Sequence, residues 1–256
     1  MFKGLLLATL ILYCTSALFF IRPLVRTKDK VSVLGVLALV SGFLVHTLTL
    51  IVGHYESTQA LFYTISGIGV SLAWILVGEY MFMEYRLKMQ NLVLPHVIAA
   101  AFIIGSGLVC RSMEPSIATL KDSRFIFVYI TSLYLTFTSL FIATVAWSAF
   151  LRLEKQAERL TKTAKKTQKK IRRFAMTASK IAYGTLISAV IGYAILFIEL
   201  KRPSLLSSFI PAACVVPLLT VGVIRKEGTE KPPLFEISKS ATGLLLMSLA
   251  LFKLII

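Results

Sequence analysis

Two histidines on one apolar stretch are the side chains of this chain best suited to bind a cofactor. His46 lies in the middle of VSGFLVHTLTLIVGH and His54 lies at its end. In a helix, eight residues separate two side chains by about 12 Å along the axis and about 80° around it. The two imidazoles could therefore bind two groups, or one cofactor and a second group, but not one metal ion. The alternatives are a hydrogen bond to a neighbouring helix for His46 and an interfacial position for His54.

Other ionisable side chains within apolar stretches are weaker candidates. His96 follows Pro95 at the start of one stretch, where a solvated residue of a first helical turn is expected. Glu79 and Glu199 each lie close in sequence to Lys or Arg, so ion pairing is expected rather than a proton relay. The sequence has no Walker loop, GxSxG or HExxH motif, and its three cysteines are isolated. These observations argue against an enzyme.

The apolar stretches that carry these residues predict an integral membrane protein. Of the 256 residues, 57% are hydrophobic and the mean hydropathy is +0.80, whereas soluble domains are typically about 45–50% apolar. A bilayer core about 30 Å thick is crossed by about 20 helical residues. The expected fold class is all-α, a single polytopic transmembrane helix bundle over residues 1–256 with about eight spans, the first interpreted as a retained helix. The expected spans are residues 4–21, 33–53, 60–83, 92–110, 125–151, 181–200, 204–224 and 238–255.

One basic segment between the fifth and sixth spans determines the expected topology. From Arg152 to Lys180 the chain carries eleven Lys or Arg and two Glu, which is net +9 out of a total of +16. Because short basic loops stay on the cytoplasmic side, this segment is expected in the cytoplasm and both termini outside, with His54 outside as well. The charge flanks apolar spans, so it predicts contact with membrane lipid and not with nucleic acid. The expected location is a prokaryotic plasma membrane.

The same segment, residues 152–180, is also a candidate contact surface. It contains no Gly or Pro, so the fifth span is expected to continue into it as one helix. Anchoring in anionic lipid is one interpretation, at about 1 kcal/mol per cation near the surface. Docking of a soluble partner, or of other subunits of a membrane complex, is the other. The residues expected to make these contacts are Lys165, Lys166, Lys169, Lys170, Arg172 and Arg173.

One stretch, from His46 to Arg86, has the pattern of a known family. It reads HTLTLIVGHYESTQALFYTISGIGVSLAWILVGEYMFMEYR and is followed by NLVLPHVIAAAF. This pattern resembles the cytochrome c assembly family, and in particular its short eight-span haem-handling members of the CcsA/HemX type. In that family an outward YESL segment leads into a span with Ala-Trp and a later Glu, and here Tyr55–Ser57, Ala73–Trp74 and Glu79 stand in comparable places. The resemblance implies haem as the cofactor and His46 and His54 as its candidate contacts.

The chain departs from that family at two places. The family has a tryptophan-rich outward loop, WGxxWxWD, between late spans, and the corresponding residues Leu200–Ser204 contain no tryptophan. The family's outward histidine at the head of the fifth span corresponds to Tyr129 or is missing. These parts would present haem to an apocytochrome, so the resemblance implies a divergent or accessory member.

Two functions are therefore expected from the sequence. The first is an integral membrane protein that binds or passes haem without catalysis. The alternative is a non-catalytic subunit of a larger membrane complex, or a sensory membrane module, that docks a partner through the basic segment. A small-solute transporter ranks third, because among the polar residues singled out only His46 lies at mid-span.

Overall fold

The computed structural model describes residues 1–25, 33–56, 65–87, 92–110, 125–155, 162–200, 210–211, 213–215 and 233–255. Within these ranges the chain is helical and contains no strand. The residues at 210–211 and 213–215 are helical as well. The long helices are α1 (Phe2–Val25), α2 (Val33–Glu56), α3 (Ile65–Leu87), α4 (Val93–Cys110), α5 (Phe125–Lys155), α6 (Lys162–Leu200) and α7 (Pro233–Ile255).

Five stretches within these helices are long and apolar enough to cross a membrane, which fits an integral membrane protein. Length and composition alone define these stretches, and all five lie within the described residues. A sixth apolar stretch in α4, Val93–Leu108, is shorter. The five are Phe2–Ile21, Val33–Tyr55, Gly67–Tyr85, Val128–Glu154 and Lys165–Leu196.

The all-helical fold class is confirmed, while the number of spans and the orientation of the termini stay predictions. Each of the first six expected spans coincides with a helix, and the last coincides with α7. Most of the expected span 204–224 lies outside the described residues. The expectation of one helix running from span five through the basic segment is wrong, because α5 ends at Lys155 and α6, which begins at Lys162, runs antiparallel to it.

The chain divides into two compact units, Met1–Thr119 and Leu120–Ile256. In the first unit α1 packs on α2 and α4, and α3 packs on α2 and α4, so each helix has two neighbours. Residue pairs such as Thr9 with Thr49 and Tyr13 with His46 show that α1 and α2 are antiparallel, since rising numbers on one meet falling numbers on the other. The unit is an up-down four-helix bundle with short connections.

The second unit is built on the antiparallel pair of α5 and α6, with α7 packed on α5. The hydroxyls of Thr136 and Thr185 lie 2.9 Å apart, and a Cβ at Gly192 would lie 3.4 Å from the backbone of Tyr129. The small side chain at 192 therefore lets the two helices approach closely, as dispersion contacts require in lipid. On α7, Glu236 and Lys239 form a buried ion pair one turn apart.

Candidate functional site

The centre of the candidate site is His46, in the middle of α2 where this helix packs between α1 and α3. Gly42 lies one helical turn before it, so both residues lie close to the same face. A Cβ added at Gly42 would lie 2.8 Å from the ring of Tyr13 on α1, closer than real Cβ atoms come. The glycine therefore makes room for the tyrosine ring, and the tyrosine hydroxyl in turn comes to the histidine.

A hydrogen bond joins these two buried rings. The Oη atom of Tyr13 lies 3.1 Å from Nδ1 of His46, and both side chains are completely buried. The ring centroids are 5.8 Å apart and the ring planes meet at 65°, an edge-on contact. The position and orientation of the imidazole are thus determined by a residue thirty-three positions earlier in the chain.

The second ring nitrogen of His46 is in a different situation. Nε2 is buried and, among the described residues, no partner meets hydrogen-bond geometry with it. The imidazole also interacts with the backbone of Val70 on α3. Because a buried nitrogen without a good partner is costly, a ligand bound at this atom would lower the cost of its burial.

Polar and aromatic contacts next to His46 hold α2 against its neighbours. The Trp74 indole on α3 donates a hydrogen bond to Thr47 Oγ1 at 2.9 Å and stacks on Phe43 with a centroid distance of 5.4 Å. One turn beyond His46, the hydroxyls of Thr9 and Thr49 are 3.4 Å apart. Helices α1, α2 and α3 are thus connected by side-chain hydrogen bonds directly around the imidazole.

The structure does not bring His54 to the same place as His46. His54 is exposed near the end of α2, edge-on to Tyr55 with ring centroids 5.8 Å apart. The two histidines lie at different depths on one helix, about 12 Å apart along its axis. They cannot share one metal ion, as the spacing in the sequence predicted.

His96, expected as a solvated helix-start residue, is completely buried, and that prediction is wrong. Its Nδ1 donates to the carbonyl oxygen of Leu92 in its own helix, and its ring stacks on Tyr80 at a centroid distance of 4.7 Å. Packing of α3 on α4 covers the side chain, a tertiary effect that the position after Pro95 does not reveal. Glu79 is half-buried and interacts with other residues.

The basic residues singled out in the sequence lie far along the chain from His46, on α6. Lys170 is half-buried, and the other five are exposed. These five are Lys165, Lys166, Lys169, Arg172 and Arg173. They form a charged surface of the second unit.

Comparison of the chain with protein-family models, with curated proteins and with solved structures finds no match. The resemblance to cytochrome c assembly proteins therefore stays a prediction from the sequence. What the site can bind has to be argued from its own atoms.

The donor atoms around His46 fit a single axial ligand for haem iron. Histidines that bind metals usually have their other ring nitrogen hydrogen-bonded, which sets the tautomer and the ring orientation. His46 has this arrangement, with Nδ1 on Tyr13 and Nε2 lacking a good partner. A cage for a bare metal ion does not fit, because no group of three or more His, Cys, Asp or Glu in the described ranges could form one.

Sequence reasoning missed Tyr13 as a member of the site. A signal for it exists, since Tyr13 is a polar aromatic residue in the middle of an apolar run, LILYCTSA. A tyrosine that is buried usually finds a hydrogen-bond partner for its hydroxyl. Its partner could not be identified from the sequence, because the pairing depends on the register between α1 and α2.

Proposed function

We propose that this chain is an integral membrane protein that binds or passes haem without catalysing a reaction, and that Nε2 of His46 would hold the haem iron. One observation carries the proposal. His46 is completely buried, its Nδ1 is held by Tyr13, and its Nε2 has no good partner among the described residues. The resemblance of His46–Arg86 to haem-handling proteins supports the same residue from the sequence.

Each residue around the imidazole has a defined task under this proposal. When bound, haem supplies an iron atom whose axial positions accept nitrogen ligands. Ligation through Nε2 requires the proton of the neutral ring on Nδ1, so Tyr13 Oη accepts that hydrogen bond and stabilises this tautomer. The Trp74–Thr47 bond keeps α3 in place beside the ring. His54, exposed on the same helix, is a candidate for a separate haem contact nearer the surface.

The proposal includes a topology. With the basic segment in the cytoplasm, eight spans place both termini and His54 on the outer face of a prokaryotic plasma membrane. A haem-passing protein needs a histidine on that face if cytochromes are assembled there. His46, eight residues earlier, then lies within the bilayer core.

Haem titration of the purified protein tests the proposal. The wild type in detergent is expected to develop a Soret band with added haem, and His46→Gln is expected to lose most of it. His96→Gln is the matched control, because His96 is an equally buried histidine of the same bundle whose Nδ1 is bonded within its own helix. Circular dichroism confirms that each variant keeps its helices.

Two results would contradict the proposal. One is the absence of a Soret band in the folded wild type. The other is an equal band in the wild type and in folded His46→Gln, since haem would then bind elsewhere. Loss of the band in His96→Gln alone would identify His96 on α4, and not His46 on α2, as the residue that holds haem.

A second candidate function is a non-catalytic subunit or sensory module that docks a partner. It is favoured by the six exposed cations in the described part of α6. This function does not exclude the first, because the two rest on different units of the chain.

A further inference from the structure

The charged part of α6 has two sharply different faces. At 100° per residue, the seven Lys and Arg between residues 165 and 180 fall within an arc of about 160°. The four residues of this segment that are almost completely buried lie on the opposite side of the helix. They are Ile171, Phe174, Ala175 and Ala178. The sequence from 162 to 198 contains no Asp or Glu, so nothing within the helix offsets the positive face before Glu199.

Packing on α5 fixes the rotation of α6 about its own axis, so the cations stay on the face of α6 that points away from α5. The contacts of Thr136 with Thr185 and of Tyr129 with Gly192 give one antiparallel register for the pair. Continued towards Lys155, the same register places Trp147 beside Phe174, and both side chains are buried. The cations are therefore held on the surface by the apolar contacts behind them.

The depth of this surface relative to a membrane follows from the length of the apolar half of α6. Residues 181–200 separate Lys180 from Lys201, and twenty helical residues cross a core about 30 Å thick. Lys180, which is exposed, therefore lies at the boundary of the core. Helix α6 runs without interruption from Lys162 to Leu200, so its basic half continues outward from that boundary.

Four lysines then lie too far out to contact lipid headgroups. We name them the distal lysines: Lys165, Lys166, Lys169 and Lys170. At 1.5 Å per residue they lie about 15 to 22 Å beyond Lys180 along the helix. The headgroup layer is only about 5 to 8 Å thick on each side. Helix tilt of about 20° changes these heights by less than a tenth.

Electrostatic attraction to the membrane is also weak at this distance. The screening length in physiological salt is about 8 Å, so the surface potential of anionic lipid is largely lost where the distal lysines lie. Lys180 lies at the headgroups and can serve as the anchor, while Arg172 and Arg173 lie about 10 to 12 Å beyond it, closer to the membrane than the distal lysines. The basic segment thus carries more positive charge, and extends further from the bilayer, than anchoring in lipid headgroups requires.

The apolar length of α5 agrees with a helical pair that projects from the bilayer. Its apolar stretch Val128–Glu154 has 27 residues, about 10 Å more than a bilayer core requires. In the antiparallel register given above Lys180 lies level with residue 141, so Trp147 lies beyond the boundary of the core. Trp147 is buried and packs edge-on against Phe150 at a centroid distance of 5.6 Å. These side chains pack with the buried face of α6 and stabilise the pair beyond the lipid.

We infer that the distal lysines bind an acidic segment of a soluble protein on the side of the membrane that carries the basic segment. The charge pattern selects an acidic partner, because four ammonium groups without intrahelical carboxylates attract one. The depth selects a soluble partner over lipid. This inference is independent of haem binding by the first unit.

A binding measurement on the full-length protein in nanodiscs tests the inference. The probe is a fluorescein-labelled polyglutamate peptide, followed by anisotropy at about 150 mM salt, where screening matches the argument above. The distal variant is Lys165→Gln with Lys166→Gln and Lys169→Gln. The matched control removes the same charge nearer the membrane, by Arg172→Gln with Arg173→Gln and Lys180→Gln.

In phosphatidylcholine nanodiscs the wild type is expected to bind the probe. The distal variant should bind about tenfold more weakly, and the control variant less than about threefold more weakly, since each exposed charge pair contributes a fraction of a kcal/mol. Phosphatidylserine in the nanodisc should change wild-type affinity by less than about threefold, because the distal lysines lie beyond its screened field.

Three results would overturn the inference. These are no binding of the probe in neutral nanodiscs, equal losses in the two variants, and loss of wild-type binding when phosphatidylserine is added. The last result would assign the distal lysines to lipid. Circular dichroism on both variants excludes unfolding as the cause, since all six substitutions are at exposed positions.

Discussion

Two antiparallel helix pairs in this chain, α1–α2 and α5–α6, pack through different kinds of side-chain contact. Between α1 and α2, polar side chains meet across the interface, Tyr13 with His46 at 3.1 Å and Thr9 with Thr49 at 3.4 Å. Between α5 and α6, a small residue permits close approach at Gly192, and Thr136 and Thr185 pair with each other. The first interface leaves an imidazole nitrogen without a good partner, whereas both threonine hydroxyls of the second also bond to their own helices.

The difference indicates where each helix pair can bind a ligand or a partner. A buried nitrogen without a good partner favours a ligand inside the helix bundle, because the cost of burial falls when it is bound. At the α5–α6 interface the hydroxyls of Thr136 and Thr185 also bond within their own helices, and the charges of α6 lie outside. Binding is therefore expected within the first interface and on the surface of the second.

The largest effect is expected from filling the space that Gly42 leaves for Tyr13. Gly42→Ala places a Cβ about 2.8 Å from the tyrosine ring, so the ring must move and stability should fall by about 1 to 3 kcal/mol. Thermal unfolding in detergent, followed by circular dichroism, measures it. Gly184→Ala is the control, because nothing lies within 4 Å of its Cβ and helix propensity favours alanine. Equal losses at both positions would contradict this account of the α1–α2 interface.

Double-mutant cycles compare the central polar pair of each interface. For Tyr13→Phe with His46→Leu we expect a coupling near the upper value seen in membrane helices, about 1.7 kcal/mol. For Thr136→Val with Thr185→Val we expect about 0.6 kcal/mol or less, since each hydroxyl keeps its bond to the carbonyl of Ser132 or Ile181 when the other is removed. A larger coupling for the threonine pair would reverse the comparison.

The same substitution, made once in each unit, compares an indole that donates a hydrogen bond with an indole that has no hydrogen-bond partner among the described residues. Trp74→Phe removes the Nε1 hydrogen bond to Thr47, whereas Nε1 of Trp147 is buried without a hydrogen-bond partner among the described residues. Both changes remove the same atoms of the indole, so the lost hydrogen bond should make Trp74→Phe about 1 kcal/mol more costly. Equilibrium unfolding of both variants checks the difference, and a greater cost at Trp147 would refute it.

The smallest effect is expected from Thr9, at the edge of the same α1–α2 interface. Its hydroxyl lies 3.4 Å from that of Thr49 but only 2.9 Å from the carbonyl of Leu5 in its own helix. Thr9→Val keeps the shape and should cost less than about 0.5 kcal/mol. A cost as large as that of Gly42→Ala would show that the interface depends on its whole row of polar contacts and not on the Tyr13 region.

Much of the fold could be predicted from the sequence, because local apolar runs of span length favour membrane helices whatever their partners. The helix boundaries shifted by a few residues, as for α3, which continues to Leu87 where the expected span ended at residue 83. Helix α5 continues into the basic segment as far as Lys155, as expected, but residues 162–180 belong to α6, which reverses direction. No local residue type distinguishes a helix that continues from one that reverses when Gly and Pro are absent.

For the candidate site, the sequence identified His46 but neither its partner nor the burial of His96. A histidine in the middle of an apolar run is unusual by composition alone, so it stands out without a structure. His96 follows Pro95 at a helix start, where either a solvated or a packed side chain is compatible with the local pattern. Its burial depends on Tyr80, which another helix supplies.

By itself the sequence determined the helical class, the membrane character and the excess of positive charge, because each depends on composition and on order along one segment. The tertiary structure decided that Tyr13 bonds Nδ1 of His46, that its Nε2 lacks a good partner, and that the cations of α6 face outward. The physical reason is register: the contacts of two helices depend on their relative translation and rotation, which packing at residues such as Gly42 and Gly192 sets.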